Sequence, residues 1–260
     1  MSAMMEELRE KAMKTLHDAE TAYAVTDITN TFSAFLWYLR SAEEEKAIDT
    51  LWSVRDDIVY VDDGRGYRGQ RSVRAFLVDA RKNLREEKLA LLAQKYPGEY
   101  SKDSNMLGIG DYNMQWPANS YLRIADDNQT AKGVWWTPGL FSETDENKNL
   151  QAYMRVVNYG VEFVNEDGKW KIWHLREFPE FSFPVDQDTA DLNAGSENTG
   201  AEYELRRRMD AHGVQSNLQG NYSGAYSPTK VPTGDYSLFE PYDTWEDRFS
   251  CTRNAEEGLK

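Results

Sequence analysis

Four stretches follow one another without a helical period between them: Tyr112 to Ile124, Ala131 to Phe141, Leu150 to Val164 and Trp170 to Phe178. Each is rich in Val, Tyr, Trp, Phe or Thr and reads as a β-strand. Asp126-Asp127-Asn128 and Asn165-Glu166-Asp167-Gly168 mark turns between them. Connections this short join antiparallel neighbours, because parallel strands need long crossovers. The chain therefore contains a meander of long antiparallel strands, and whatever precedes it has to cover one of its faces.

What precedes it is helical. Leu8, Ala12, Leu16, Ala19 and Tyr23 recur at helical spacing from Met4 to about Tyr23. Thr26-Asp27 offers an N-cap for a second helix carrying Ile28, Phe32, Phe35, Leu36 and Leu39. A third helix is expected over Glu43 to Trp52, a strand at Ile58 to Val61, and a fourth helix from Gly69 towards Leu92, stopped by Lys95-Tyr96-Pro97-Gly98. Helices first and strands afterwards define an α+β fold, with N-terminal helices packed in a curved antiparallel sheet. The expected organisation is an N-terminal helix (1–20), an α+β domain (21–184) and a C-terminal arm (185–260). The arm is polar over Asp186 to Ser196, has a possible short helix at Tyr203 to Ala211, and then carries Tyr222, Tyr226, Tyr236, Phe239, Tyr242 and Trp245. So many aromatics point to an arm that docks on a surface, its own or that of a second subunit.

Charge and composition narrow the partners. With 44 acidic against 30 basic residues the net charge is −14, a field that repels phosphate backbones and argues against nucleic acid. No run approaches the ~20 apolar residues of a membrane span. The start of the chain lacks a basic region followed by an apolar stretch, and the single cysteine, Cys251, suits a reducing cytosol. A cytoplasmic location is the expectation. Asp62-Asp63-Gly64 and Asp126-Asp127-Asn128 lack the ligand spacing of a calcium loop, and Gly108-Ile109-Gly110 lacks the third glycine of a nucleotide fingerprint. No metal or cofactor is expected.

The last hairpin places a histidine. If Asn165 to Gly168 forms the turn, Val164 faces Lys169, Val161 faces Ile172, Tyr159 faces His174, Val157 faces Arg176 and Arg155 faces Phe178. His174 is then directed to the core beside Tyr159, whereas His17 and His212 stand among polar residues. An imidazole is the natural proton shuttle near neutral pH; the alternative is a structural histidine bonded to Tyr159. Arg155 and Arg176 would stabilise a developing anion, or else pair with Glu177 or Glu180.

The order Gly66-Tyr67-Arg68-Gly69-Gln70-Arg71-Ser72-Val73, Thr130 to Trp136, Tyr159 to Phe163 and Asp167 to His174 resembles the nuclear-transport-factor-2-like superfamily, in its polyketide-cyclase-like branch. That branch includes scytalone dehydratase, bile-acid dehydratases and lignin-dimer lyases. The resemblance covers roughly Thr21 to Pro184. It implies a cystatin-like cone with an apolar pocket, and cofactor-independent dehydration, isomerisation or retro-aldol chemistry on a hydrophobic cyclic or aromatic molecule. It also implies that Tyr159 and His174 point inward, that Tyr38 or Asp27 lines the pocket from the helix, and that Gln115, Trp116, Trp135, Phe35, Val157 and Phe178 hold the substrate. The dehydratases carry a histidine on the strand that reads Asn113 to Pro117 here, and none stands there. A homodimer with exchanged C-terminal arms is the expected assembly. The rival reading is a non-catalytic module that binds a ligand or a protein through the same cone.

Overall fold

The structure is a computed structural model that describes residues 2–62, 65–185, 216–219, 238–247 and 250–252. The expected helix at 203–211, His212, Tyr222, Tyr226 and Tyr236 lie outside the described residues. The first two expected helices are one helix, α1 (Ser2–Arg40), so Thr26-Asp27 is not a cap. A second helix was expected because Thr26-Asp27 could serve as an N-cap. The backbone stays helical through Thr26-Asp27, since no Pro or Gly lies between Ser2 and Arg40. Only the second half of α1 enters the core, burying Ile28, Phe32, Phe35, Leu36 and Leu39.

Next come α2 (Glu44–Leu51), strands β1 (Val59–Asp62) and β2 (Arg65–Arg68), and α3 (Gln70–Arg74). A π-helical stretch (Ala75–Ala80) and α4 (Arg81–Lys95) follow. Gln70 closes the approach by donating from Nε2 to the carbonyls of Ser53, at 2.8 Å, and Arg55, at 2.7 Å. The meander is β3 (Tyr112–Gln115), β4 (Ala118–Ile124), β5 (Thr130–Thr144), β6 (Leu150–Glu166) and β7 (Lys169–Pro184), and β8 (Leu218–Gln219) adds a short edge. The expected strand 112–124 is divided at Pro117, which has no N–H to give to a ladder. Both pieces pair with β5.

The strands form one curled, unclosed sheet in the order β3-β5-β6-β7-β1-β2-β8, with β4 also on β5. All pairs are antiparallel except β1 with β7, which is parallel because β1 arrives from the helices rather than from a hairpin. One face of the sheet packs on α1: Trp135 stacks on Phe32 at 4.4 Å between ring centroids, and Tyr159 meets Phe32 at 5.4 Å. Gly133 makes room for this contact, because a Cβ there would overlap the folded-back Trp135 ring. Gly133→Ala is therefore expected to destabilise by about 1–3 kcal/mol, read as a lower melting temperature. An unchanged melting temperature would show that the ring can move aside.

The arm docks on the other face of the same chain where it is described. Asp126 and Asp127 donate their backbone N–H groups to the carbonyls of Tyr242 (3.0 Å) and Asp243 (3.1 Å). Tyr121 Oη donates to the Phe239 carbonyl at 2.8 Å, and Trp245 packs on Trp173 at 4.6 Å.

Candidate active site

The β6–β7 hairpin decides which side chains share a face, and its register differs from expectation at the turn, at Trp173 and again at Glu180. The turn is the two-residue type, with Asp167 (φ 53°) and Gly168 (φ 81°) both left-handed, so Glu166 pairs with Lys169. That moves the partners by two positions and leaves the faces as expected. A bulge at Trp173 then adds one residue: Phe163 pairs with Ile172, but Glu162 pairs with His174. A shift of one inverts the side chains that follow it, as far as the second shift at Glu180. Tyr159 consequently lies opposite Glu177, not His174.

On the helix-facing side this assembles a row across four strands: Trp135, Tyr159, Glu177 and Asp62 are successive neighbours on β5, β6, β7 and β1. The Glu177 carboxyl is buried. Tyr60 donates its hydroxyl to Glu177 Oε1. Tyr159 Oη stands 3.3 Å from the same oxygen and 2.9 Å from Gln115 Oε1, so its single proton can serve one acceptor at a time. Arg155 Nη2 donates to Glu177 Oε2 at 3.2 Å. Burial pushes the Glu177 pKa above the usual carboxylate range. The Asp62 charge adds to that, while Arg155, the Tyr60 hydroxyl and Arg81 oppose it without cancelling it. Burial together with the charge of Glu177 holds the Tyr60 and Tyr159 hydroxyls well above the ordinary phenol range, so both remain proton donors.

The outer face carries what the inverted register displaced. His174 Nδ1 lies 2.6 Å from Glu162 Oε2, and its Nε2 lies 3.2 Å from the Asp57 carbonyl. Glu162 also accepts from Ser250 Oγ (2.9 Å) and the Cys251 N–H (3.2 Å), with Lys132 Nζ 3.9 Å away. Burial raises the Glu162 pKa, but the hydrogen bond and charge of His174, with Lys132 and Ser250, outweigh it and the net direction is down. Asp57 beside it is lowered to about 2, chiefly by the Arg55 hydrogen bond and further by Trp173 Nε1–H.

Of the expected site residues, the structure brings Tyr159, Arg155 and Gln115 together, with Trp135 and Val157 buried on the same face. Phe35 is buried beside Trp52. Trp116 is 41% exposed at the edge, donating its backbone N–H to Pro138. Five residues stand elsewhere than expected. His174 belongs to the outer face, as does Arg176, which donates to the Cys251 carbonyl at 3.4 Å. Phe178 lies over Gly160 on that same face, beneath the Arg176 guanidinium. Asp27 Oδ2 accepts from the Trp170 N–H at 3.4 Å. That is seven residues from Glu177, roughly 20 Å along the strand. Tyr38 packs under Lys46 between α1 and α2. Sequence reasoning offered Glu177 as an ion-pair partner for Arg155 or Arg176 and passed over Tyr60. The available signal was an acid amid Leu175, Phe178 and Pro179, in a strand apolar on both faces.

No family model matches this chain, and no curated protein does. Solved structures do. A type 2 hexachlorocyclohexane dehydrochlorinase is 17% identical, with 66% of this chain and 95% of that chain covered and a TM-score of 0.44. A scytalone dehydratase-like protein from Novosphingobium aromaticivorans is 10% identical, covering 66% and 93%, with a TM-score of 0.46. A protein of unknown function from Mycobacterium tuberculosis is 12% identical, covering 73% and 96%, also at 0.46. A dehydratase-like protein from Streptomyces avermitilis, described as belonging to the nuclear-transport-factor-2-like family, is 14% identical, with 65% of this chain and 99% of that chain covered and a TM-score of 0.41.

Proposed function

We propose that the protein is a cofactor-independent lyase or isomerase in which Glu177 moves a proton on a hydrophobic cyclic or aromatic small molecule. The observation that carries this reading is a buried carboxyl of raised pKa, bracketed by two tyrosine hydroxyls and one guanidinium in an aromatic interior. A carboxyl poised nearer neutrality both accepts and returns a proton, as such reactions require. As base, Glu177 takes the proton from a carbon next to a substrate carbonyl or phenol. Tyr159, released from Gln115 or Glu177, donates to the substrate oxygen, and Arg155 offsets the charge that grows there. The protonated carboxyl then returns the proton to the leaving group, or to another carbon in an isomerisation. The substrate's way in is the sheet end where Gln115, Arg155 and Trp116 retain exposure. The aromatic walls favour a ring of matching shape.

The test is turnover of cyclic hydroxy-ketones and phenolic ethers as a function of pH. The base must be ionised to act, so kcat/KM rises as pH climbs through the elevated Glu177 pKa. Tyr159→Phe should lower kcat by about 10²-fold and leave the position of that limb nearly unchanged. Tight ligand binding with no turnover by any compound would instead favour the non-catalytic module.

A further inference from the structure

The two apolar stripes of α1 lie on opposite sides of one straight helix. At 3.6 residues per turn, Met4, Leu8, Ala12, Leu16, Ala19 and Tyr23 share one side, with Met5 beside them. Ile28, Phe32, Phe35 and Leu39, which enter the core, point roughly half a turn away. The contacts agree: Thr21 and His17 both reach Asn128 at 3.3 Å, so the domain lies on their side of α1. Met4, Met5, Leu8, Leu16 and Tyr23 are each more than half exposed, and Trp37 continues the same outward line. A helix extension cannot bury such a stripe against its own domain, and in isolation a segment of this length is marginal in water.

We infer that residues 4–23 pair antiparallel with the same segment of a second copy of this chain. The flanking charges select that occupant and that direction. About a two-fold axis near residue 14, Lys11 on one flank of the stripe meets Asp18 of the other copy, and Arg9 on the other flank meets Glu20. The symmetry makes each pair twice. The same axis sets Leu8 against Ala19, Leu16 against Ala12 and Met5 against Tyr23, large against small through most of the seam. A parallel, in-register pair would instead set opposite flanks together, bringing Lys11 near Arg9 and Asp18 near Glu20 of the other copy, like charge against like. This inference stands apart from the catalytic reading, since the stripe faces away from Glu177.

The test is sedimentation equilibrium of the full chain over micromolar to submillimolar concentration. A monomer–dimer equilibrium is expected. L8E/L16E should give a monomer with unchanged circular dichroism and melting temperature, because both side chains are exposed in the single chain. K11D should weaken association by about tenfold, and K11D/D18K should restore it. A parallel pair would respond in the opposite sense to K11D, which would replace a repulsion from Arg9 of the other copy by an attraction. A monomeric mass throughout would overturn the inference, whether the stripe is then covered by residues 186–237 of the same chain or by a different protein. So would a dimer that survives L8E/L16E.

Discussion

Glu177→Gln is expected to abolish turnover, by about 10²–10⁴-fold in kcat, without unfolding the protein. Gln keeps the shape and an oxygen that can accept from Tyr60 and Arg155, but it cannot carry a proton. Stability should move the other way. A carboxyl whose folded pKa lies above its unfolded value favours the fold while it stays protonated. Its contribution is lost as pH rises from the unfolded pKa through the folded one. Above its unfolded pKa the wild type therefore loses stability through the raised Glu177 pKa that the Gln variant does not lose, and the variant's melting temperature at neutral pH should be equal or higher. Removing an active-site strain commonly has this signature. Calorimetry and turnover on the same sample decide it. An active Glu177→Gln enzyme would leave the catalytic proposal without its proton carrier, and an inactive but unfolded one would make Glu177 structural.

His174→Ala should do the reverse, lowering stability while touching the chemistry only through the fold. Glu162 is fully buried, and His174 is its nearest partner at 2.6 Å. Removing one member of such a pair leaves an under-compensated buried charge, a loss of about 3–5 kcal/mol. In a domain of this size each kcal/mol is roughly 2–4 °C of melting temperature. The strap at Ser250 and Cys251 hangs on the same carboxylate, so Cys251 should become open to alkylation. The pH dependence has a definite sign. The folded pKa of Glu162 is depressed, so its contribution is present above the unfolded carboxylate pKa and is lost as pH falls through the folded value. In Glu162→Gln that acid-side loss should disappear. A His174→Ala protein of wild-type stability and no turnover would return the imidazole to the chemistry.

The strand runs at 112–178, the order of helices before sheet, and the inward positions of Tyr159 and Arg155 were all legible from residue type and alternation alone. These depend on local propensity and on one face needing cover, both of which are written into neighbouring residues. Glu177 was not legible, because a single inserted residue at Trp173 exchanges the faces of the residues after it on β7, up to a second shift at Glu180. That bulge has no marker of its own: no glycine or proline stands at 173. It coincides with the point where β1 joins β7 in parallel, at Val59 and His174, and where Asp57 receives the Trp173 indole N–H. Those partners lie more than a hundred residues away in the chain. The sequence by itself determined that a lone strand-borne imidazole and the acid Glu177 would sit on this hairpin. Only the tertiary pairing of β1 with β7 decided that the acid, and not the imidazole, faces the interior, because a strand's alternation is local while its phase is set by what pairs beside it.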